Sequence, residues 1–330
     1  MYTIVVDCMG SDNGPKAIIG GIKLFFEKYK DCKIVAVGKK EELEELKDNH
    51  NVEIVDARDV IPMTCGPLEV MRSRESSMYK AVSLMKEKGY DAVCSAGSTG
   101  AFLSCATIKL KLIDGVERAC LVSPFPTYNE APLCILDIGA STENNANQLV
   151  QFAKMGRIYS QKIMNCDNPN TYLLSNGTED EKGTPEVKEA HKILIDTKFE
   201  GFKGNIEGRE VLYGDANVVV AGGYAGNVLL KSIEGTAKMF SRMIKDSFKK
   251  NIFTMIGYLF AKKGFDDLKH KMDYKRFGGA LLMGVNGVVV KGHGSSDEYS
   301  FSNTLRVAYE MVDKRVVDIL KEGIKENANN

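Results

Sequence analysis

Short apolar runs that end in a glycine turn and then open a helical pattern recur along this chain, and no other feature of its 330 residues constrains the fold so strongly. Residues 3–7 (TIVVD) form the first run and residues 8–14 the turn, with Pro15 where a first helical turn accepts it. Residues 16–29 carry helical periodicity. Residues 91–95 lead through the turn 96–100 into a helix predicted to end near Leu112. The runs 133–137, 172–175 and 217–221 are each followed by a glycine-bearing segment, with helices over 147–162, 185–196 and after Asn227. Further strands are expected at 33–38, 52–55 and 119–123, and further helices at 39–47 and 78–88. Strands alternating with helices imply a mainly parallel sheet with helices on both faces, within one α/β domain spanning 1–330.

The stretch 286–297 (NGVVVKGHGSSD) shows what such a unit offers chemically. Three valines read as a strand buried on both faces. Two glycines bracket His293, Ser295, Ser296 and Asp297 are capping residues, and a helical pattern runs from about Tyr299 to Lys321. A tight loop before a helix N-terminus gathers backbone N–H groups and the positive end of a helix dipole, which suits an anion. The plainer reading is a glycine-rich turn whose histidine caps or packs. Ligands of parallel sheets bind beyond the carboxyl ends of the strands. The glycine loops 10–14, 97–100, 139–143, 176–183, 222–227 and 292–297 all fall there and are expected to converge. None reads G-x-G-x-x-G or G-x-x-x-x-G-K-[ST], so no dinucleotide or P-loop site is indicated.

Lys+Arg and Asp+Glu both number 44, which argues against a dedicated nucleic-acid partner. Eight cysteines are scattered without a C-x-x-C pair and read as reduced core residues of a cytoplasmic protein. No cluster of His, Cys and acidic residues has metal-ligand spacing, so neither a metal nor another cofactor is expected. No charged-then-apolar leader precedes the first run, and no stretch approaches the ~18 apolar residues of a membrane span.

Residues 236–276 break the rhythm. Met239, Phe240, Met243, Ile244 and Phe248 recur at helical spacing. Ile252, Phe253, Met255, Ile256, Tyr258, Leu259 and Phe260 follow, flanked by Lys249, Lys250, Lys262 and Lys263, with Gly264 expected to end the segment. The pattern suggests a helical excursion with an apolar tip and basic flanks. It would serve as a packed helix pair or dimer contact, an acyl groove, or an interfacial membrane helix through Phe253, Ile256, Leu259 and Phe260.

Several segments together carry a resemblance. They are VVDCMGSDNGP (5–15), SSMYKAVSLMKEKGYDAVCSAGSTGA (76–101), LDIGAS (136–141), QFAKMG (151–156), NGTEDEKG (176–183), NIEGRE (205–210), GYAGNVLLKSIEG (223–235) and FGGALLMGVNGVVVKGHGSSD (277–297). In this order, and over nearly the whole chain, they resemble the phosphate acyltransferases of bacterial phospholipid synthesis, the PlsX family. The chain departs from that family's usual residues at Ser11, Asn13, Gly14, Ser98, Ser141, Gly222 and Leu281.

The resemblance implies a three-layer α/β/α sandwich like phosphotransacetylase and isocitrate dehydrogenase. It implies transfer of a fatty acyl group from acyl carrier protein to inorganic phosphate, with acyl phosphate passed to a glycerol-3-phosphate acyltransferase. It also implies a homodimer attached peripherally to an anionic membrane surface. Phosphate is itself the nucleophile, so no serine or cysteine nucleophile is needed, in keeping with the lack of a G-x-S-x-G elbow. On that reading Lys182 supplies charge to phosphate or oxyanion, and Asn227 holds a phosphoryl or carbonyl oxygen. His293 donates to the oxyanion or protonates the leaving sulfur. Gly10, Gly97, Thr99, Gly100, Gly226, Gly294, Ser295 and Ser296 form the phosphate cradle, and Asp12 orients His293 or Lys182. The plainer readings are a solvated loop lysine at 182, a helix cap at Asp12 and an N-cap at Asn227. Two rival functions are a phosphotransacetylase-like enzyme using a short acyl-CoA and a non-catalytic scaffold for carrier protein.

Overall fold

The structure, a computed structural model, describes residues 1–272 and 278–328. Its strands are β1 (Tyr2–Asp7), β2 (Cys32–Gly38), β3 (Val52–Asp56), β4 (Ala92–Ser95), β5 (Cys120–Phe125), β6 (Leu133–Leu136), β7 (Thr171–Ser175), β8 (Phe202–Glu207), β9 (Val218–Val220), β10 (Gly279–Met283) and β11 (Val288–Gly292). They form one sheet in the order β3-β2-β1-β4-β11-β10-β5-β6-β9-β7-β8. The block β3-β2-β1-β4-β11 is parallel throughout, as is β6-β9-β7-β8. Between them lie three antiparallel pairings, β11–β10, β10–β5 and β5–β6. The two parallel blocks therefore run in opposite directions.

Both faces are covered. The helices α1 (Gly14–Lys28), α4 (Ala146–Lys162), α5 (Pro185–Asp196), α8 (Glu298–Asp313) and α9 (Val316–Ala328) pack on one face. The helices α2 (Ser77–Lys88) and α3 (Thr99–Leu110), with the start of α6 (Gly223–Phe248), pack on the other. In β1, Ile4 and Val6 enter the first core and Val5 the second, which is why such strands read as unbroken apolar runs. The expected three-layer α/β/α sandwich is the fold observed.

Local signals set the helix ends. The Ser76 hydroxyl accepts from Tyr79 N at the start of α2, and Gly89 closes that helix in the left-handed region at φ 68°. Thr184 caps α5, with Pro185 in its first turn, so that helix starts where the sequence indicates.

Two expectations are corrected, and two strands were missed. Residues 39–47 make two 3-10 turns, Lys40–Glu42 and Glu44–Leu46, in place of one α-helix. Leu43 and Leu46 are the buried anchors, and their three-residue spacing fits the 3-10 repeat. The helix expected over 299–321 is broken between α8 and α9, where Arg315 takes φ 54°. α8 packs on α1 while α9 packs on α4, so two docking directions override one continuous pattern. β8 and β10 were not legible as strands. Gly204 sits at φ 97° and a register irregularity interrupts the β7–β8 pairing, which blurs the apolar alternation. β10 is the antiparallel partner of β11, and its pattern carries no helix after it.

The excursion is a helical hairpin of α6 and α7 (Ile252–Met272), with residues 273–276 of the expected segment outside the described residues. Gly264 does not end it. A helical glycine costs about 1 kcal/mol, and the next residue, Phe265, packs edge-on against Phe248 at 4.8 Å between ring centroids. Tyr258 completes this internal cluster, at 5.4 Å from Phe248. Asn251 starts α7, its side chain accepting from Thr254 N at 3.0 Å. With Tyr258 and Phe265 turned inward, Phe253 and Phe260 are left 81% and 88% exposed. Among the described residues no helix is long and apolar enough to cross a membrane.

Candidate active site

The glycine loops do not meet at one edge of the sheet, because the two parallel blocks present their carboxyl ends in opposite directions. They divide between two cavities. One, of about 420 Å³, lies on the face of the sheet over the antiparallel strands, with Leu121, Ser123 and Phe125 of β5 and Gly279 and Ala280 of β10 in its wall. Asp12, Thr99, Gly100, His293 and Gly294 line it from the first block, and Gly139 and Asn227 from the second. The other, of about 1190 Å³, is lined by second-block segments alone, including Thr142, Asn144, Asn176 and Gly183. α6 borders both: Tyr224, Ala225, Val228, Leu229 and Ser232 face the larger cavity, and Asn227, Leu230, Lys231, Glu234 and Ala237 the smaller.

The smaller cavity brings together Asp12, Thr99, Gly100, Asn227, His293 and Gly294, half of the expected catalytic and substrate-binding residues. Its first-block loops are laced together: Asp12 N donates to Gly294 O at 2.9 Å, and the Asn13 side chain donates to the main-chain oxygens of Ser295 and Ser296 at 3.1 and 3.0 Å. Gly10 takes φ 80°, a conformation that favours glycine, and a side chain there would press on the main-chain oxygen of Ile61. Gly10 and Gly97, expected in the cradle, are not in the cavity's wall. Asp297 caps α8 by accepting from Ser300 N at 2.9 Å, and Ser296 Oγ donates to His293 O at 2.7 Å, fixing the histidine's main chain. Gly226 works the same way in the second block. A methyl there would overlap the main-chain oxygen of Asp137, so only glycine lets α6 settle against the loop after β6 and carry Asn227 beside Gly139. Asp137 anchors that loop by accepting from the N–H groups of Gly139, Ala140 and Ser141 and from the Ser141 hydroxyl.

Asn227 lies in the second turn of α6, whose N-cap is Gly222, so it is not a cap. Asp12 caps no helix either, since α1 has Asn13 at that position. Lys182 is apart: it is exposed on the loop after β7, whose neighbour Gly183 lines the larger cavity, and it is absent from the wall around His293.

His293 is held by its own loop on one side and by α6 on the other. Its Nδ1 faces Ser295, at 3.2 Å from the N–H and 2.9 Å from Oγ. Its Nε2 faces Lys231 Nζ at 3.1 Å and Glu234 Oε2 at 3.5 Å. Lys231 and Glu234 are themselves paired at 2.8 Å. Burial works to raise the Glu234 carboxyl, but His293 and Lys231 outweigh it and hold that carboxyl below the usual range. The carboxylate facing His293 is therefore Glu234, not Asp12. Lys231 and Glu234 stand four and seven residues beyond Asn227, one and two helical turns along the same face. That spacing is the signal in 223–235 from which they could have been found.

Such a cavity can hold an anion against N–H groups and lysine, offer amide and imidazole donors to a developing oxyanion, and supply a proton.

A family described as fatty acid synthesis protein matches residues 2–319. The chain is 41% identical over 325 residues to a phosphate acyltransferase of Thermosipho africanus, covering 98% of each chain. It is 40% identical over 329 residues to one of Clostridium novyi, again covering 98% of each. Among solved structures, a branched-chain phosphotransacylase from Enterococcus faecalis V583 superposes with a TM-score of 0.61 at 14% identity, over 94% of this chain and 99% of that one. The EutD phosphotransacetylase from Staphylococcus aureus gives 0.55 at 17% identity, over 96% and 94%.

Proposed function

Because the chain belongs to the fatty acid synthesis protein family, with phosphate acyltransferases among its relatives, we propose that it transfers a fatty acyl group from acyl carrier protein to inorganic phosphate. The observation that carries this reading is the smaller cavity, where His293 and Asn227 meet the loops of the first block beside two lysines. A phosphate oxygen attacks the thioester carbonyl carbon, the carbon–sulfur bond breaks, and the proton carried by phosphate ends on the departing sulfur. Asn227 and the N–H groups at the start of α3 hold oxygens of the phosphate or the carbonyl. His293, steadied by Ser295, Lys231 and Glu234, relays the proton to sulfur. Lys182 lies outside this cavity, and a role for it needs the loop after β7 to reach the substrate from the side.

Apolar walls support a long acyl chain. Phe125, Leu230, Ile233 and Ala237 border the cavity, and α6 continues outward to Met239, Phe240 and Met243, all about half exposed. Beyond them the exposed stripe of Phe253, Ile256, Leu259 and Phe260, flanked by Lys249, Lys250, Lys262 and Lys263, suits docking on an anionic membrane surface. Acyl phosphate formed there is close to lipid and to a glycerol-3-phosphate acyltransferase that consumes it. A homodimer belongs to the same reading and is testable by light scattering.

The test is incubation with palmitoyl-carrier protein and phosphate, following free carrier thiol and acyl phosphate. Equimolar release of both supports the reading. Turnover of acetyl-CoA with none of palmitoyl-carrier protein supports a short-chain transacylase, and no turnover of either supports a scaffold.

A further inference from the structure

At the carboxyl ends of three neighbouring parallel strands, one row of the sheet carries a carboxylate, a hydroxyl and an amine. Asp7 of β1 is in register with Ser95 of β4, and Ser95 with Lys291 of β11. Strand spacing of about 4.8 Å puts the Asp7 and Lys291 backbones roughly 10 Å apart with the serine between them. Asp7 is saturated: it accepts from Ser77 Oγ at 2.6 Å, Ser95 Oγ at 2.7 Å and Met9 N at 3.2 Å. Lys291 is not saturated. It is 6% exposed, its nitrogen donates to Gly292 O, and among the described residues it forms no ion pair. It also lines the smaller cavity, two residues before His293. A buried ammonium without a counter-ion is costly unless something anionic arrives to compensate it.

We propose that Lys291 is the buried cation that binds the inorganic phosphate in this cavity, a reading that rests on the phosphate acyltransferase function. The charged groups around it fit that role. Burial pushes its amine down to about 7; Asp7 and Asp12 pull it up, and Lys231 adds to the depression. Lys231 is already engaged by Glu234, and the elements packed beside Lys291 otherwise present Ser95 and Ala280, which carry no charge. Phosphate entering beside a largely neutral amine restores its proton, so binding above neutral pH is coupled to proton uptake.

The test is calorimetric titration of inorganic phosphate into the full-length protein at pH 8.5, in buffers of different ionisation enthalpy and without acyl donor. The wild-type chain is expected to take up close to one proton per phosphate bound. Lys291→Met is expected to weaken phosphate by about tenfold or more and to abolish the uptake. Lys291→Arg, which keeps its charge at every pH, is expected to bind without uptake. Unchanged affinity and uptake in Lys291→Met overturns the proposal, as does wild-type binding with no proton taken up, which needs no variant to fold. A wild-type chain that binds no phosphate removes the function on which the proposal rests, and the proposal with it.

Discussion

Lys231 Nζ lies 3.1 Å from Nε2 of His293, joining the middle of α6 to the loop after β11. The contact crosses the junction of the two parallel blocks, so the candidate acid–base group is held by the block it does not belong to. Glu234 completes the arrangement, within reach of both partners.

His293→Asn is expected to lower turnover by about two orders of magnitude, as loss of a proton donor or oxyanion contact does. Glu234→Gln is expected to lower it roughly tenfold by leaving the imidazole less well held. Because both act through one group, Glu234→Gln should add little in the His293→Asn background. Initial rates for the two single variants and the double variant check this; independent, multiplicative losses would contradict it.

Lys291→Met is expected to stabilise the folded chain while impairing phosphate binding, since it removes a buried, unpaired amine. The folded amine sits at about 7 against an ordinary value of 10.5. Below pH 7 both folded and unfolded chains are protonated and the burial penalty is full. From 7 to 10.5 only the unfolded chain holds the proton, so wild-type stability gains on the variant as pH rises. The melting temperature of the variant should exceed wild type most at pH 6 and converge with it towards pH 10. A variant that melts lower at pH 6 would count against a strained amine.

Gly226→Ala is expected to destabilise by about 2 kcal/mol or more, because its methyl must displace main chain rather than a side chain. Since Gly226 seats Asn227, turnover should fall with it. Urea unfolding gives the first quantity and acyl phosphate formation the second. Gly235→Ala on the same helix, where a methyl meets nothing, serves as the control and should be neutral or stabilising.

Phe253→Glu with Phe260→Glu is expected to abolish binding to anionic vesicles while leaving the secondary structure intact, since both rings are exposed and the Phe248–Tyr258–Phe265 cluster is untouched. Each buried ring contributes about 1.5–3 kcal/mol to docking. Vesicle co-sedimentation across a salt series measures it. Loss of a dimer in place of loss of vesicle binding would assign the stripe to a subunit contact.

The sandwich was legible because each strand–turn–helix unit carries its own local signals: the valines of β11, the proline and threonine that start α5, the glycines after β1 and β4. The order of the strands was not. Nothing in the sequence marks β10 as antiparallel to both of its neighbours or β5 as antiparallel to β6; the three inversions together turn the second block round and separate Lys182 from His293. The cavity's first-block loops were legible as strand-to-helix turns for the same local reasons. On its other wall Asn227 was named, but Lys231 and Glu234 were missed because they lie on a helix that reads as an ordinary amphipathic one. Lys291 was passed over although a lysine closing a strand buried on both faces is itself a sign of a buried charge.

α6 runs without a break from Gly223 to Phe248, and its length fixes a clearance. From Glu234 to the far end of the helix is about 20 Å at 1.5 Å per residue. With the hairpin tip seated in lipid, His293 would stand roughly that far above the bilayer, on a mast rather than against the surface. A folded domain of 100 residues has a radius of gyration of about 13 Å, so under the proposed function a carrier of that size would approach the cleft from the side without being pressed into the headgroups beneath.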